Sequence, residues 1–388
     1  MEKILILIFI MSSVIIFWAM IGYPLFLIII NKIWHKPCLK KSFEYKPTVT
    51  VMVVAHNEEK VIEEKLKNLI SLDYPVNKFK IIVTSDCSTD NTNIIVKDFI
   101  TKHQNYNIKL HKTVNHSGKT NAQNEAQKLI DSEILVMTDA NCIFEKEAIN
   151  ELVSVLSESK IAYVCGSTVV INSETDLTAN MEALYWDLDS RCRDIESRFS
   201  TITAGDGNIY ACRNCLYEDI PLIECHDSSF PVLFALKGYR CVYNPYAISY
   251  EKAGENCYDE YKRKVRMNRN ILHNILPDIR ILNIFKYKWF SFFWIGHRTC
   301  RYLLWISHAL LLLTSVMLSG ESVLFMLLFL SQILFFMIAL SGHKCNLDNK
   351  IIQLIVYYSM TVLSQWHGVY NVITNKARST WTKAESTR

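Results

Sequence analysis

Half of the 388 residues are hydrophobic and the mean hydropathy is positive, at +0.11. That is too apolar for an ordinary soluble domain and too polar for a pure membrane bundle, so a hybrid is implied. The net charge of +4 says little by itself, and no nucleic-acid partner is expected from it.

Taken in chain order, Ile4 to Ile30 carries no ionisable side chain except the phenol of Tyr23. About 20 apolar residues already cross the hydrocarbon of a bilayer. The run is too long for a signal-peptide core and no small-residue cleavage site follows it, so residues 1–34 read as an uncleaved anchor. Lys32, Lys36, Lys40 and Lys41 follow this span. Lys262, Arg263, Lys264, Arg266 and Arg269 precede a second apolar zone. The positive-inside rule therefore assigns the region between them to the cytoplasm. The twelve cysteines have no regular spacing and read as free thiols of a reducing compartment. The one C-x-x-C, Cys212 and Cys215, lacks a second pair and reads as incidental rather than zinc-binding.

From 47 to 275 short β-branched runs alternate with amphipathic stretches: "VTVMVVA", "EEKVIEEKLKNLI", "KIIVTSD", "NTNIIVKDFI", "IKLHK", "GKTNAQNEAQKLI", "ILVMTDA". This order predicts βαβ units, hence an α/β domain with a mostly parallel sheet. Ligands of such sheets bind outside the carboxyl ends of the strands. His56, Asn57 and Glu58 stand after the first strand, Asp86 and Asp90 after the second, Lys119 after the third, Asp139 and Asn141 after the fourth. Any one of the acids fits a helix cap or a turn. Together on one rim, acids beside a lysine suit a diphosphate with a divalent metal such as Mg²⁺, which prefers a few oxygen ligands. Asn141 offers only a neutral carbonyl oxygen, so metal binding is expected to centre on Asp139.

With these stretches the sequence resembles the membrane-anchored glycosyltransferases of family 2, whose nucleotide-sugar domain has the Rossmann-like GT-A fold. "VVAHNEEKVIEEKLKNL" is similar to the family's opening strand, "SDCSTDNT" to its D-x-S-x-D-x-T, "HSGKTNAQNEA" to its G-K-x-x-A-x-N, and "TDAN" to its D-x-D metal motif. The resemblance implies a nucleotide-diphosphate sugar, a UDP-sugar above all, contacted by His56, Glu58 and Asp86, with Lys119 and Arg266 on the phosphates. It implies Mg²⁺ or Mn²⁺ on Asp139 and Asn141. On the acceptor side it implies Trp186, Gly205, Gly207 and Arg213, with Trp186 open between stacking on a sugar and anchoring its helix. Asp227 in "ECHDSSF" matches the family's catalytic base. His226 replaces the acid before it, as a tuner of the base or a surface residue. In "YKRKVRMNRN" Arg263, Arg266 and Met267 replace the Gln, Arg and Trp of Q-x-x-R-W. Loss of that Trp argues against processive synthesis and not against sugar transfer.

Residues 276–300 mix aromatics with Lys286, Lys288 and Arg298 and read as an interfacial segment. Tyr302–Ser319, Val323–Ser341 and Ile351–Thr374, within 301–375, read as three further crossings, before a basic tail, 376–388. Four crossings leave that tail on the far side, against the positive-inside rule; either the last segment lies along the interface or one crossing is wrong. The expected activity is inverting transfer to a membrane-associated lipid or glycan acceptor, with possible partners from a polysaccharide biosynthesis pathway. Its rivals are a processive synthase with coupled export and a non-catalytic sugar-nucleotide-binding membrane protein.

Overall fold

The computed structural model describes residues 1–172, 177–254, 257–345 and 349–380. Its centre is an eight-stranded sheet made of β1 (Val49–Ala55), β2 (Phe79–Ser85), β3 (Asn107–Lys112), β4 (Ile134–Asp139), β5 (Ile143–Phe144), β6 (Ile161–Val170), β7 (Tyr210–Arg213) and β8 (Arg240–Glu251). The spatial order is β3-β2-β1-β4-β7-β6-β8-β5. β1 to β4 are the four strands expected from the sequence, and they run parallel, Val49 pairing with both Phe79 and Ile134. β1 is buried at every position, as a strand covered on both faces must be. Its side chains alternate between two cores. Val49, Val51 and Val53 pack with Leu66, Val96 and Leu152 on one face, whereas Met52 and Val54 pack with Ala122, Phe230 and Phe234 on the other.

Beyond β4 the sheet is mixed. β7 runs antiparallel between β4 and β6, and β5 runs antiparallel at the edge against β8. The parallel half puts the carboxyl ends of β1 to β4 on one rim. Because β7 runs the other way, it is the residues before it, 205–209, that reach this rim, while its own end lies beside the start of β4.

Among the described residues, two helical stretches are long and apolar enough to cross a membrane, Glu2–Ile33 and Val323–His343, as in a membrane protein. Leu304–Leu318 has 15 residues, and at 1.5 Å each it rises about 22 Å, short of the ~30 Å hydrocarbon. It meets the length only if joined to Trp289–Tyr302 across a bend of 59°. The expected crossing at Ile351–Thr374 falls on one long helix. Gln353, Gln365, His367 and several serines dilute the apolarity of its helix, Lys350–Ile373, which is not among the candidate spans. That helix packs on Val323–Cys345, where a Cβ at Gly342 would collide with Ile352, and on the helix Cys257–Met267 and its C-terminal continuation: a Cβ at Gly368 would lie 2.6 Å from that of Asn268, and Tyr261 Oη meets His367 Nδ1 at 3.1 Å. The described part of the tail then turns back, and Arg269 Nη1 donates to the Ser379 carbonyl at 3.1 Å. Residues 381–388, the rest of the expected basic tail, lie outside the described residues.

A buried polar network joins the N-terminal helical stretch to the helix Leu177–Phe199 beside the sheet. Tyr23 donates its hydroxyl to Glu196 (2.6 Å) on the helix Leu177–Phe199. His297 bridges Glu196 (2.7 Å) and Asp189 (3.2 Å), and Asp189 also holds Arg193 (2.5 Å) and Arg301 (2.7 Å). The described cysteines are free thiols, with Cys212 buried in β7 and Cys215 exposed.

Candidate active site

One end of the rim is built around Asp86, which follows β2 and has no solvent exposure. Its carboxylate accepts from Gly118 N (3.0 Å), Ser117 N (3.3 Å) and Thr113 Oγ1 (3.1 Å). Gly118 has φ +99°, a conformation only glycine adopts freely, and this lets the loop fold its amides onto Asp86 before the helix Lys119–Gln127 begins. His116 Nδ1 lies 2.9 Å from Asp86 Oδ2, and His56, whose Nδ1 is 2.6 Å from the Asp86 carbonyl, stacks on His116 with centroids 4.1 Å apart. The ligand atoms of His56, Asp86 and His116 all fall within 4.8 Å of one another. Two flat rings above a buried acceptor are a place for a planar hydrogen-bonding group or an ion. Asp90 acts locally: it accepts from Thr92 N (3.0 Å) and Glu59 N (3.1 Å), tying the start of the helix Thr92–Lys102 to the loop after β1.

Asp139, at the end of β4, and Asp227, second residue of the helix His226–Leu236, open onto a common cleft of about 230 Å³. Glu58, Lys119, Trp186, Gly205, Gly207, Arg266 and Met267 line the same cleft. Lys119 joins its two sides, pairing with Asp139 and donating to the Gly207 carbonyl at 3.4 Å. Burial pulls the Lys119 pKa down, but Asp139 and Asp227 more than offset this, and it lies above the usual lysine value. Burial pushes the Asp227 carboxyl above the usual carboxylate range, and Lys119 opposes only part of that shift. The Asp227 carbonyl accepts from Gly205 N at 2.7 Å, fixing the helix start. A Cβ at Gly207 would lie 3.6 Å from Asp227 Cγ, so glycine keeps the approach to the carboxylate clear; at Gly205 it would collide with the Tyr163 hydroxyl.

His226 is not a surface residue. It is 1% exposed and meets Tyr217 Oη (2.7 Å), Gln123 Oε1 (2.8 Å) and Asn124 Oδ1 (3.0 Å), and burial, with Lys119 nearby, pushes its pKa down to about 3. It is a neutral strut beneath the helix that carries Asp227. Trp186 both faces the cleft and anchors its helix: Nε1 donates to Glu182 at 3.1 Å, and the Arg193 guanidinium lies 5.3 Å from its ring centre. Arg263 is taken by Glu182 and Glu260. Arg213 must be corrected. It pairs with Ile134, the first residue of β4, and donates to the carbonyls of Leu156 (2.6 Å), Glu158 (3.0 Å) and Ile161 (2.9 Å) at the opposite end of the sheet from Asp139. The antiparallel course of β7 carries it away from the acceptor side.

Two family models match this chain: "Glycosyl transferase family 2" over residues 50–215 and "Glycosyl transferase family group 2" over residues 134–340. The chain belongs to glycosyl transferase family 2. As a family 2 member it is similar to "Probable glycosyltransferase YdaM" of Bacillus subtilis (strain 168), 26% identical over 281 residues, 68% of this chain and 66% of that protein. It is also similar to the "Poly-beta-1,6-N-acetyl-D-glucosamine synthase" of Staphylococcus epidermidis, 24% identical over 68% of this chain and 65% of the relative. The chain thus spans a little under two thirds of these relatives' length. Among solved structures, the mannosyltransferase PcManGT of Pyrobaculum calidifontis, in complex with GDP-Man and Mn²⁺, superposes with a TM-score of 0.73 at 20% identity, covering 95% of this chain and 99% of that one. That likeness shows the GT-A fold.

The residues of this glycosyltransferase fit a hard divalent cation at Asp139. The donor set is a carboxylate and an amide oxygen, both oxygens, and a cation, the Lys119 ammonium, already sits on Asp139 Oδ1. Three supporting residues escaped the sequence reading. His116 stacks on His56. Glu251, at the end of β8, lines the cleft and bonds to Asn141. Lys65 is fully buried under the loop after β4, donating to Thr138 Oγ1 (3.0 Å) and the Cys142 carbonyl (2.5 Å), and burial pulls its pKa down to about 7. Only Lys65 left a signal: a lysine on the apolar stripe of Ile62, Leu66 and Leu69.

Proposed function

We propose that this glycosyltransferase moves a sugar, with inversion, from a UDP-sugar to a membrane-associated lipid or glycan acceptor at the cytoplasmic face of the cell membrane. The observation that carries the reading is the single cleft in which Asp227, a buried carboxylate with a raised pKa, faces the Lys119–Asp139 pair. An acceptor hydroxyl must lose its proton as it attacks the anomeric carbon, and Asp227 is the group to take it. Attack from the Asp227 side, with the diphosphate leaving toward Lys119, is a direct displacement and inverts the centre. His56 and Glu58 flank the nucleotide, and Asp86 accepts from the base once His116 turns aside. Arg266, on the cleft wall, meets the diphosphate. Mg²⁺ or Mn²⁺ held by Asp139 and Asn141 would supply charge to offset that developing on the leaving group.

Trp186 and the open backbone at Gly205 and Gly207 form the acceptor side. The membrane supports the choice of acceptor. Ile279, Leu282, Ile284 and Phe285 are exposed, Phe285 by 88%, beside Lys286 and Lys288, as an interfacial segment over 276–300 requires. The basic residues on both flanks of the domain favour its cytoplasmic side.

The test is a panel of nucleotide sugars incubated with the detergent-solubilised enzyme, divalent metal and a lipid extract, read by mass spectrometry. Metal-dependent transfer from a UDP-sugar to a lipid-extractable product is expected. Absence of any transfer or donor hydrolysis would favour a non-catalytic sugar-nucleotide-binding protein, and long products would favour a processive synthase.

A further inference from the structure

Asn141 stands where the metal pair is expected to carry its second carboxylate. An amide has one end that ligates a cation, its oxygen, and one that repels it, its NH₂ group, and the two are nearly the same size. Asparagine can serve at a metal only if something fixes which end faces the ion.

Glu251 does so here. Asn141 Nδ2 donates to Glu251 Oε1 at 3.0 Å, and Asn208 Nδ2 donates to Glu251 Oε2 at 2.6 Å. Both oxygens of the carboxylate accept from an NH₂ group; ionised, Glu251 has no donor to offer, and the Asn141 nitrogen is the end that faces it. The Asn141 oxygen is left with a 4.0 Å approach from the Cys142 thiol, too weak to hold it. Glu251 is itself held at the end of β8, its carbonyl accepting from Ile171 N at 3.1 Å. Asn208 is held in turn, donating also to Thr168 Oγ1 at 3.3 Å. Glu251 and Asp139 line the same cleft, so a carboxylate backs position 141 although that position itself has none.

We propose that Glu251 is a positioning residue for the divalent cation, locking the Asn141 amide with its oxygen toward the ion. The inference rests on the reading that Asp139 and Asn141 hold that ion. Outer partners of metal ligands act by fixing ligand orientation, and their loss weakens metal binding about 10- to 100-fold.

The experiment measures Mn²⁺ affinity, without turnover, from the electron paramagnetic resonance signal of free Mn²⁺ in the presence of UDP and the full-length protein in detergent. Glu251→Gln, which can donate as well as accept and so no longer dictates the amide, is expected to raise the Mn²⁺ Kd about 10-fold or more. Adding Asn141→Asp to that variant should restore affinity toward the wild-type value, because a carboxylate has no wrong end. In an Asn141→Ala background Glu251→Gln should change nothing further. An unchanged Kd in Glu251→Gln overturns the proposal, as does a double variant that stays as weak as Glu251→Gln. Should Glu251→Gln fail to fold, Glu251→Asp withdraws the same acceptor by one methylene and carries the same expectation. A wild-type protein that binds no Mn²⁺ with UDP overturns the underlying ion reading instead, and the two failures are thereby told apart.

Discussion

The Asp86 end of the rim and the helix wall that carries Trp186 differ in how far the chain must reach to build them. Asp86 and its partners at 113 and 116–118 sit at the ends of two adjacent parallel strands, and the contacts among them span about 30 residues, as Gly118 to Asp86 does at 32. The wall carrying Trp186 rests on the helix Leu177–Phe199, which is fixed by Tyr23, 173 residues away from Glu196, and by His297, 108 away from Asp189. Local strand-end groups can be altered with local consequences. Groups in the long-range network cannot, because each holds an element that would otherwise be free to move.

The largest expected effect follows from that difference. Asp189→Ala leaves Arg193, 2% exposed, without its carboxylate and removes the acid shared by His297 and Arg301. Breaking one partner of a buried ion pair costs about 3–5 kcal/mol, and thermal unfolding in detergent should show a loss of that order. A loss under about 1 kcal/mol would mean the network is not what fixes the helix.

Asp227→Asn comes next. Removing a general base costs on the order of 10²-fold or more in kcat, about 2.7 kcal/mol, with UDP affinity kept. Wild-type turnover in this variant would remove Asp227 from the chemistry. Smaller still is Asp90→Ala at the donor end. Loss of a helix-start cap costs about 1 kcal/mol, and because Asp90 also ties down Glu59 N, the donor KM should rise while kcat stays. A fall in kcat without a change in KM would place Asp90 in the chemistry rather than in the loop.

The same contrast in reach explains what the sequence made legible. The strands β1, β2 and β4 are largely apolar runs and β3 alternates, all bounded by polar turns, so the residues past them, His56, Glu58, Asp86, Lys119 and Asp139, could be located by counting. Arg213 could not, because nothing in a four-residue strand states its direction, and β7 runs antiparallel. The helix Lys350–Ile373 reads as a crossing since its apolar residues are many; that its Gly368 makes room for Asn268 shows only once the two are brought together. The Asp189 and Glu196 network was hidden for a related reason: acids on a helix look like a solvated face until the histidine and arginines more than a hundred residues later are brought onto them.

The smallest effect is a stability difference in Asp227→Asn, and its sign depends on pH. Burial raises the folded-state pKa of Asp227 above its unfolded value, with Lys119 offsetting part of the shift. The folded protein therefore holds the proton more tightly than the unfolded chain. A raised carboxyl pKa contributes stability that is fully present below the unfolded value and is lost as pH rises through the folded one. At neutral pH the ionised base is a burden on the fold, which asparagine, of the same shape and uncharged, does not impose. The variant should unfold at a higher temperature than wild type at pH 8, and the gap should close as pH falls below the ordinary carboxylate range. The acid limb of kcat/KM in the wild-type enzyme should show an apparent pKa above that range, since the same proton must leave before the base can act. A variant no more stable at pH 8 than at pH 3, relative to wild type, would mean that Lys119 neutralises Asp227 fully and that the acceptor end carries no stored electrostatic cost.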